Sequence, residues 1–331
     1  MNSFGRIFKV HIFGESHGES VGIVIDGCPA GLALSADDLL PDLERRKGGK
    51  QKGTTPRQEA DYPFFKSGIF NGKTTGAPIA IFFENNNTRS GDYEKQRSFP
   101  RPGHADWVAH EKYGGNEDFR GGGHFSARLT TGLVAAGAIA KKLMQGVIIQ
   151  AAVTEIAGEA DTEKGLQKAI DAKDSVGGIV TCTVDGLPVG LGEPFFDSVE
   201  SQIAHIAFAI PAVKGIEFGS GFAAATMYGS QHNDAIIDNS GKTATNHAGG
   251  IVGGITNGNQ LVYRLAIKPT ASTPKEQFSL NWDTGVQESF SIKGRHDLCV
   301  ALRAPVIVEA ATAIALLDLM LLQQNVKPVV G

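Results

Sequence analysis

The sequence predicts a layered fold of mixed helices and strands, α+β or α/β, on three observations. Strand-like runs recur along the whole chain. Segments of helical length lie between them, and the hydrophobic ones need cover on more than one side. The strand order is not legible from the residues.

In chain order, Ile7 to Ile12 alternates inward and outward, and Val21 to Asp26 is a short apolar run closed by Gly27. Both are expected strands, joined by the loop Gly14-Glu15-Ser16-His17-Gly18. Ser35, with Asp38 three residues on, marks a helix start before Leu39, Leu40 and Leu43, and Pro41 kinks that helix or delays it. Pro78 to Glu84 and Val147 to Ile156 are expected strands. Ser126 to Met144 has the length and small apolar side chains of a buried helix, with Ser126 as its cap. Further helices are expected at Thr162 to Lys173, Val199 to Ile210 and Pro305 to Gln324, and further strands at Ile179 to Val184, Gln260 to Ile267 and Val286 to Ile292. No repeat of fixed period occurs, and no Pro/Ser-rich or charged linker marks a domain boundary.

The 331 residues include 42 glycines, where a share of about 7% would give roughly 23. Collagen is excluded, because no G-X-Y period exists, and 41% hydrophobic content with near-balanced charge excludes low-complexity disorder. A net charge of -4 argues against a general nucleic-acid binder, so any anion site must be local. Cys28, Cys182 and Cys299 are odd in number and far apart, giving neither a disulfide framework nor a zinc knuckle, and a reducing cytosol fits them. No continuous apolar leader opens the chain, and the longest apolar stretches are interrupted by Lys141, Glu309 or Asp318. A soluble protein without a membrane span is therefore expected.

Several segments carry chemistry. Arg45 to Lys52 puts five cations in eight residues at a helix end. That is either a solvated run favoured by the helix dipole or a loop that closes on a polyanion with arginine forks. In Arg120-Gly-Gly-Gly-His124-Phe125-Ser126-Ala127-Arg128, three glycines before a helix favour an anion site over a plain turn, with Arg120, His124 and Arg128 adding charge. No P-loop spacing occurs. His17 and His104 are loop histidines suited to proton transfer, and Asp106 stands two residues from His104, where it could orient the ring. No metal-ligand spacing and no nucleophile elbow are present. Lys293 to Asp297 gathers cations, a histidine and a carboxylate, while Asn246 to Gly254 and Lys268 to Ser272 add glycine-rich and hydroxyl-bearing surface for a large flat ligand.

Taken together, Phe13 to Gly18, Arg120 to Arg128 and Gly294-Arg295-His296-Asp297 resemble the three signatures of the chorismate synthase family. Arg101-Pro-Gly-His104-Ala-Asp106, Pro211 to Gly215 and Asn246 to Gly254 match in order between them. The resemblance covers essentially the whole chain as one domain, 1–331, and implies an α+β fold of the β-α-β sandwich type, with helices between sheets, assembled as a homotetramer. It implies a lyase that converts 5-enolpyruvylshikimate 3-phosphate to chorismate and phosphate by 1,4-anti elimination, using reduced FMN without net redox change. By resemblance, His17 protonates the departing phosphate, His104 donates near flavin N1 and the C2 carbonyl, and Asp297 assists removal of the C6 proton. Arg45, Arg46, Arg101 and Arg128 would hold substrate anions. The family's NADP contact falls on Arg46 and on Lys52, where lysine keeps the charge of the family's arginine but loses its fork. FMN would contact His124, Phe125, Ser126, Pro211, Ala212, Gly253, Lys268, Pro269, Thr270, Ala271, Ser272 and Arg295. Relatives often carry arginine and a small residue at the positions of His124 and Phe125, and a histidine replaces an anion-binding arginine only when protonated. No added reductase domain is apparent, so a separate flavin reductase is favoured over reduction by NADPH on this chain. The alternatives are an inactive flavin or phosphate-ligand scaffold of the same fold and, more weakly, an RNA binder using Arg45 to Lys52, against which the absence of interleaved aromatics counts.

Overall fold

The computed structural model of the protein describes residues 1–49, 52–55, 59–86, 97–292 and 296–325. Two antiparallel sheets enclose two helices. The first sheet runs Ser3–Phe4, Lys9–Gly14, Ser20–Asp26, Ile79–Glu84, Phe64–Ser67 in spatial order. Its register sets Val10 opposite Ile25, Ile25 opposite Ile79 and Ile23 opposite Ile81. With a side-chain period of two, Val21, Ile23, Ile25, Ile79, Ile81 and Phe83 fall on one face, and all six are fully buried. The helix Thr130–Leu143 packs on that sheet. A Cβ on Gly132 would lie 3.0 Å from Ile23 Cβ and 3.3 Å from Gly22 O, so the helix sits close against the strand.

The second sheet runs Val213–Phe218, Leu261–Ile267, Gly178–Asp185, Ile148–Ile156. Cross-strand pairs Leu261–Val184, Tyr263–Cys182 and Leu265–Val180 present a buried face to the C-terminal helix, Ala304–Asn325. The two helices meet between the sheets. A Cβ on Gly137 would fall 2.3 Å from Ala310 Cα, so the backbones approach at a distance only glycine permits. The layers are therefore sheet, helix, helix, sheet, which meets the expected sandwich with a filling two helices thick.

The C-terminal helix is long and apolar enough to cross a membrane by length and composition, yet here it is mostly buried inside the protein. Its two acids are matched. Glu309 accepts both guanidinium nitrogens of Arg45 at 2.6 and 2.7 Å and Lys141 Nζ at 2.8 Å, and Asp318 accepts the backbone N–H groups of Arg6, Ile7 and Phe8 at 2.7–2.9 Å. A buried carboxylate is tolerated in an apolar layer when paired in this way, and the pairing ties the N-terminal strands and the Arg45 helix to the sandwich. That early helix starts late. Ser35 and Asp38 cap a short 3₁₀ turn, Ala36–Asp38, and the α-helix proper is Leu40–Arg46, with Pro41 in its first turn.

Candidate active site

The segment Arg120–Phe125 lies against strand Lys9–Gly14, with Gly121, Gly122 and Gly123 at φ of +61°, +89° and +50°. Left-handed backbone at three consecutive positions favours glycine, and the missing β-carbons make room for two rings. A Cβ on Gly121 would lie 2.2 Å from His17 Cε1, and one on Gly122 would lie 3.0 Å from His104 Cε1. The glycine run therefore brings the two histidines of the sequence analysis to one loop. The Ser16 amide donates to Gly123 O at 3.1 Å, fixing the His17 turn to that loop. Ser16 Oγ donates to Arg120 O at 3.2 Å, so its 3.0 Å contact with His17 Nδ1 is the imidazole donating to the hydroxyl.

His104 has a stronger tether. Its Nδ1 lies 2.6 Å from Asp106 Oδ1, and Arg101 grips the same carboxylate with Nε at 2.7 Å and Nη2 at 2.7 Å. Burial opposes ionisation of Asp106, but the hydrogen bonds from Arg101 and His104 outweigh it and hold the carboxyl well below the usual carboxylate range.

His104, and Gly121 which packs on the buried His17, border a cleft of about 860 Å³, within the range of roughly 300–1,000 Å³ usual for small-molecule sites. Arg101, His104, Gly121, His124, Phe125 and Ser126 form one side. Pro211, Ala212, Lys214 and Lys268, Pro269, Thr270, Ala271 and Ser272 form another, with His296 and Asp297 completing the lining. Ala212 holds φ of +75°, a strained value for a residue with a side chain. Burial and the neighbouring Lys214 charge lower the pKa of Lys268, whose ammonium hydrogen-bonds Gly103 O. Thr270 Oγ1 and His296 Nε2 are buried without hydrogen-bond partners among the described residues. Burial and the Arg101 charge push the His296 pKa down, against Asp297. Asp297 accepts from the Thr55 amide at 2.8 Å and from Arg303 Nη1 at 3.2 Å, while Arg303 Nε donates to Arg46 O at 3.0 Å. Sequence reasoning missed Arg303, which lies in no motif.

Other expected contacts fall elsewhere. The three cations of the glycine segment do not converge, because each finds a partner near at hand. Arg120 forks onto Asp118 at 2.8 Å, Arg128 binds Asp61, and His124 sets Nδ1 on Gly14 O at 2.9 Å and Nε2 on Asn2 Oδ1 at 3.0 Å. His124 thus braces the N-terminal strands while its ring lines the cleft. Arg46 and Arg128 share the buried Asp61, whose burial is outweighed by the two guanidinium charges so that its pKa is lowered. Arg45 turns away onto Glu309 and Asp42, and Lys52 Nζ donates to Gln167 Oε1 at 3.0 Å. The expected cationic lid is therefore dispersed among partners where described, and Lys50 lies outside the described residues. Gly253 does not line the cleft, and Arg295 lies outside the described residues. Among the described residues, no group of three or more His, Cys, Asp or Glu is arranged to hold a metal ion.

Comparison with known proteins decides between an enzyme and a bare scaffold. The family model described as chorismate synthase matches residues 8–321. The chain is 70% identical over 326 residues to the chorismate synthase of Chitinophaga pinensis, covering 98% of each. The chain belongs to the chorismate synthase family. It is accordingly an enzyme of the chorismate-forming lyase type. At greater distance, the chorismate synthase of Dehalococcoides mccartyi is 45% identical over 351 residues, covering 97% of this chain and 96% of that protein. A solved chorismate synthase crystal structure superposes with a TM-score of 0.73 at 26% identity, covering 97% of this chain and 93% of that one. The layered fold is thus a chorismate synthase fold.

Proposed function

We propose that the cleft converts 5-enolpyruvylshikimate 3-phosphate to chorismate and phosphate by 1,4-anti elimination, with reduced FMN bound beside the substrate. The observation that carries this reading is the glycine loop, which packs His17 and His104 against successive glycines and sets Gly121 and His104 on a cleft whose far lining supplies paired lysines and Asp297.

The cleft residues fit the flavin. Lys214 and Lys268 offer adjacent cations for its phosphate, the buried Thr270 hydroxyl and His296 Nε2 offer polar atoms in need of partners, and the Pro211–Ala212 backbone offers a flat wall. Reduced flavin supplies electron density to an otherwise unactivated allylic system. The remaining work belongs to this chain. His17 gives its proton to the departing phosphate and offsets the charge that builds there. His104, with Nδ1–H held by Asp106, would donate toward the flavin ring edge through Nε2 when the ring is doubly protonated, and Asp297, aimed by Thr55 and Arg303, receives the C6 proton. The Arg46–Asp61–Arg128 cluster carries two cations and one anion, a net charge of +1 that attracts a substrate bearing a phosphate and two carboxylates.

Arg46 and Lys52 are committed to separate partners, Asp61 and Gln167, which supports delivery of reduced flavin by a separate reductase over an NADPH site built from this pair. A single cytosolic domain that assembles as a homotetramer completes the reading, and the exposed Phe195, Phe196 and Phe222 are apolar surface for such an assembly to cover. The test is an anaerobic incubation of the chain with substrate and chemically reduced FMN. Chorismate is expected to form, and release of neither chorismate nor phosphate would overturn the proposal.

A further inference from the structure

The contacts of Asp106 exceed what a helix start needs. Asp106 opens the helix Asp106–Tyr113, but its side chain points back to the preceding loop. There Oδ2 accepts the Arg101 backbone N–H at 3.0 Å and Nε at 2.7 Å, while Oδ1 accepts Arg101 Nη2 at 2.7 Å and faces His104 Nδ1 at 2.6 Å. The backbone closes the same turn, with the His104 N–H donating to Arg101 O at 3.1 Å.

Two acceptors 2.6 Å apart repel unless a proton lies between them. The bidentate guanidinium keeps Asp106 ionised, so that proton belongs to the imidazole. Arg101 Nη2 also approaches His104 Nδ1, at 3.0 Å, but a protonated Nδ1 has no lone pair to accept from it, and the guanidinium proton goes to Oδ1 instead. The opposite edge of the ring, Cε1 and Nε2, lies on Gly122, where a Cβ would come within 3.0 and 3.2 Å. Proton exchange is thereby confined to Nε2.

We propose that Asp106 is a positioning residue of the reaction: clamped by Arg101, it fixes His104 as the Nδ1–H tautomer and presents Nε2 at the cleft. This rests on the proposed role of His104, and its test separates the two.

In uniformly ¹⁵N-histidine-labelled wild-type protein, with the His104 signal assigned by its loss in His104→Ala, the neutral ring is expected to show protonated Nδ1 and bare Nε2. An Nε2–H tautomer would overturn the proposal whatever the turnover. Asp106→Asn removes the charge and offers an amide donor to Nδ1, so the tautomer should invert. kcat should then fall by about 10²-fold or more while substrate KM moves less than about threefold. Asp106→Glu restores the acceptor and should recover part of kcat and the original tautomer. An Asp106→Asn enzyme with wild-type kcat and unchanged tautomer would overturn the proposal. If Asp106→Asn does not fold, judged by circular dichroism and flavin binding, the wild-type tautomer and the Asp106→Glu variant decide. A wild type that shows the Nδ1–H tautomer but no turnover would count against the proposed reaction and not against the positioning.

Discussion

Gly121 and His17 are so close that a β-carbon at position 121 would lie 2.2 Å from His17 Cε1 and 2.4 Å from Nδ1. Gly121→Ala would also place a side chain at φ of +61°. The substitution is expected to displace the imidazole and lower kcat by about 10²-fold, within the range of a misplaced proton donor. Steady-state kinetics with reduced FMN checks this. Unchanged kcat would remove His17 from the reaction or show the loop able to yield.

Lys214 and Lys268 line the cleft side by side, and their mutual repulsion already lowers the Lys268 pKa, after burial. An anion between them relieves both effects. Lys268→Met is expected to weaken FMN binding about tenfold or more and to leave riboflavin, which lacks the phosphate, unaffected. Fluorescence titration of the two flavins gives the comparison, and equal losses would place the phosphate elsewhere.

Arg303 holds Asp297 from the 3₁₀ turn just before the C-terminal helix. Arg303→Met should free the carboxylate to rotate, lowering kcat about tenfold. Arg303→Lys, which keeps the charge, should lose less. A pre-steady-state measurement with substrate deuterated at C6 provides the check, since the isotope effect should grow when proton removal is slowed.

Asp61 is buried between Arg46 and Arg128 and its folded pKa is depressed, so its contribution to stability is complete above the unfolded value near 3.9 and is lost as pH falls through the folded value. Thermal unfolding followed from pH 7 downward should show Tm falling steeply below about pH 4. Asp61→Asn should flatten that acid limb and destabilise the protein at pH 7 by about 3–5 kcal/mol, the usual cost of leaving buried charge unpaired. A pH-independent Tm in the wild type would contradict the pairing.

Much of this fold was legible because burial follows simple periods. The run Val21 to Asp26 is strand Ser20–Asp26, and Ser126 does cap the turn before the central helix, accepting the Arg128 amide. The helix Asp106–Tyr113 went unread, since Asp-Trp-Val-Ala-His-Glu-Lys-Tyr buries only Ala109 and has no apolar stripe. Strand Val213–Phe218 was hidden by Gly215 at its register shift. In the site, motif histidines were found by their glycine-rich surroundings, whereas the fate of each cation was not, because it depends on acids distant in sequence. Asp61 lies 67 residues from Arg128, and Glu309 lies 264 from Arg45, too far for any local pattern to pair them. The bond from His124 to Gly14 O was likewise not legible, since spacing cannot signal a backbone partner 110 residues away.

The most direct measurement of the account is the product balance of a single anaerobic reaction with reduced FMN. One chorismate and one phosphate per substrate consumed, with the flavin still reduced at the end, is the expected result. Phosphate released without chorismate, or flavin oxidised in step with turnover, would contradict it.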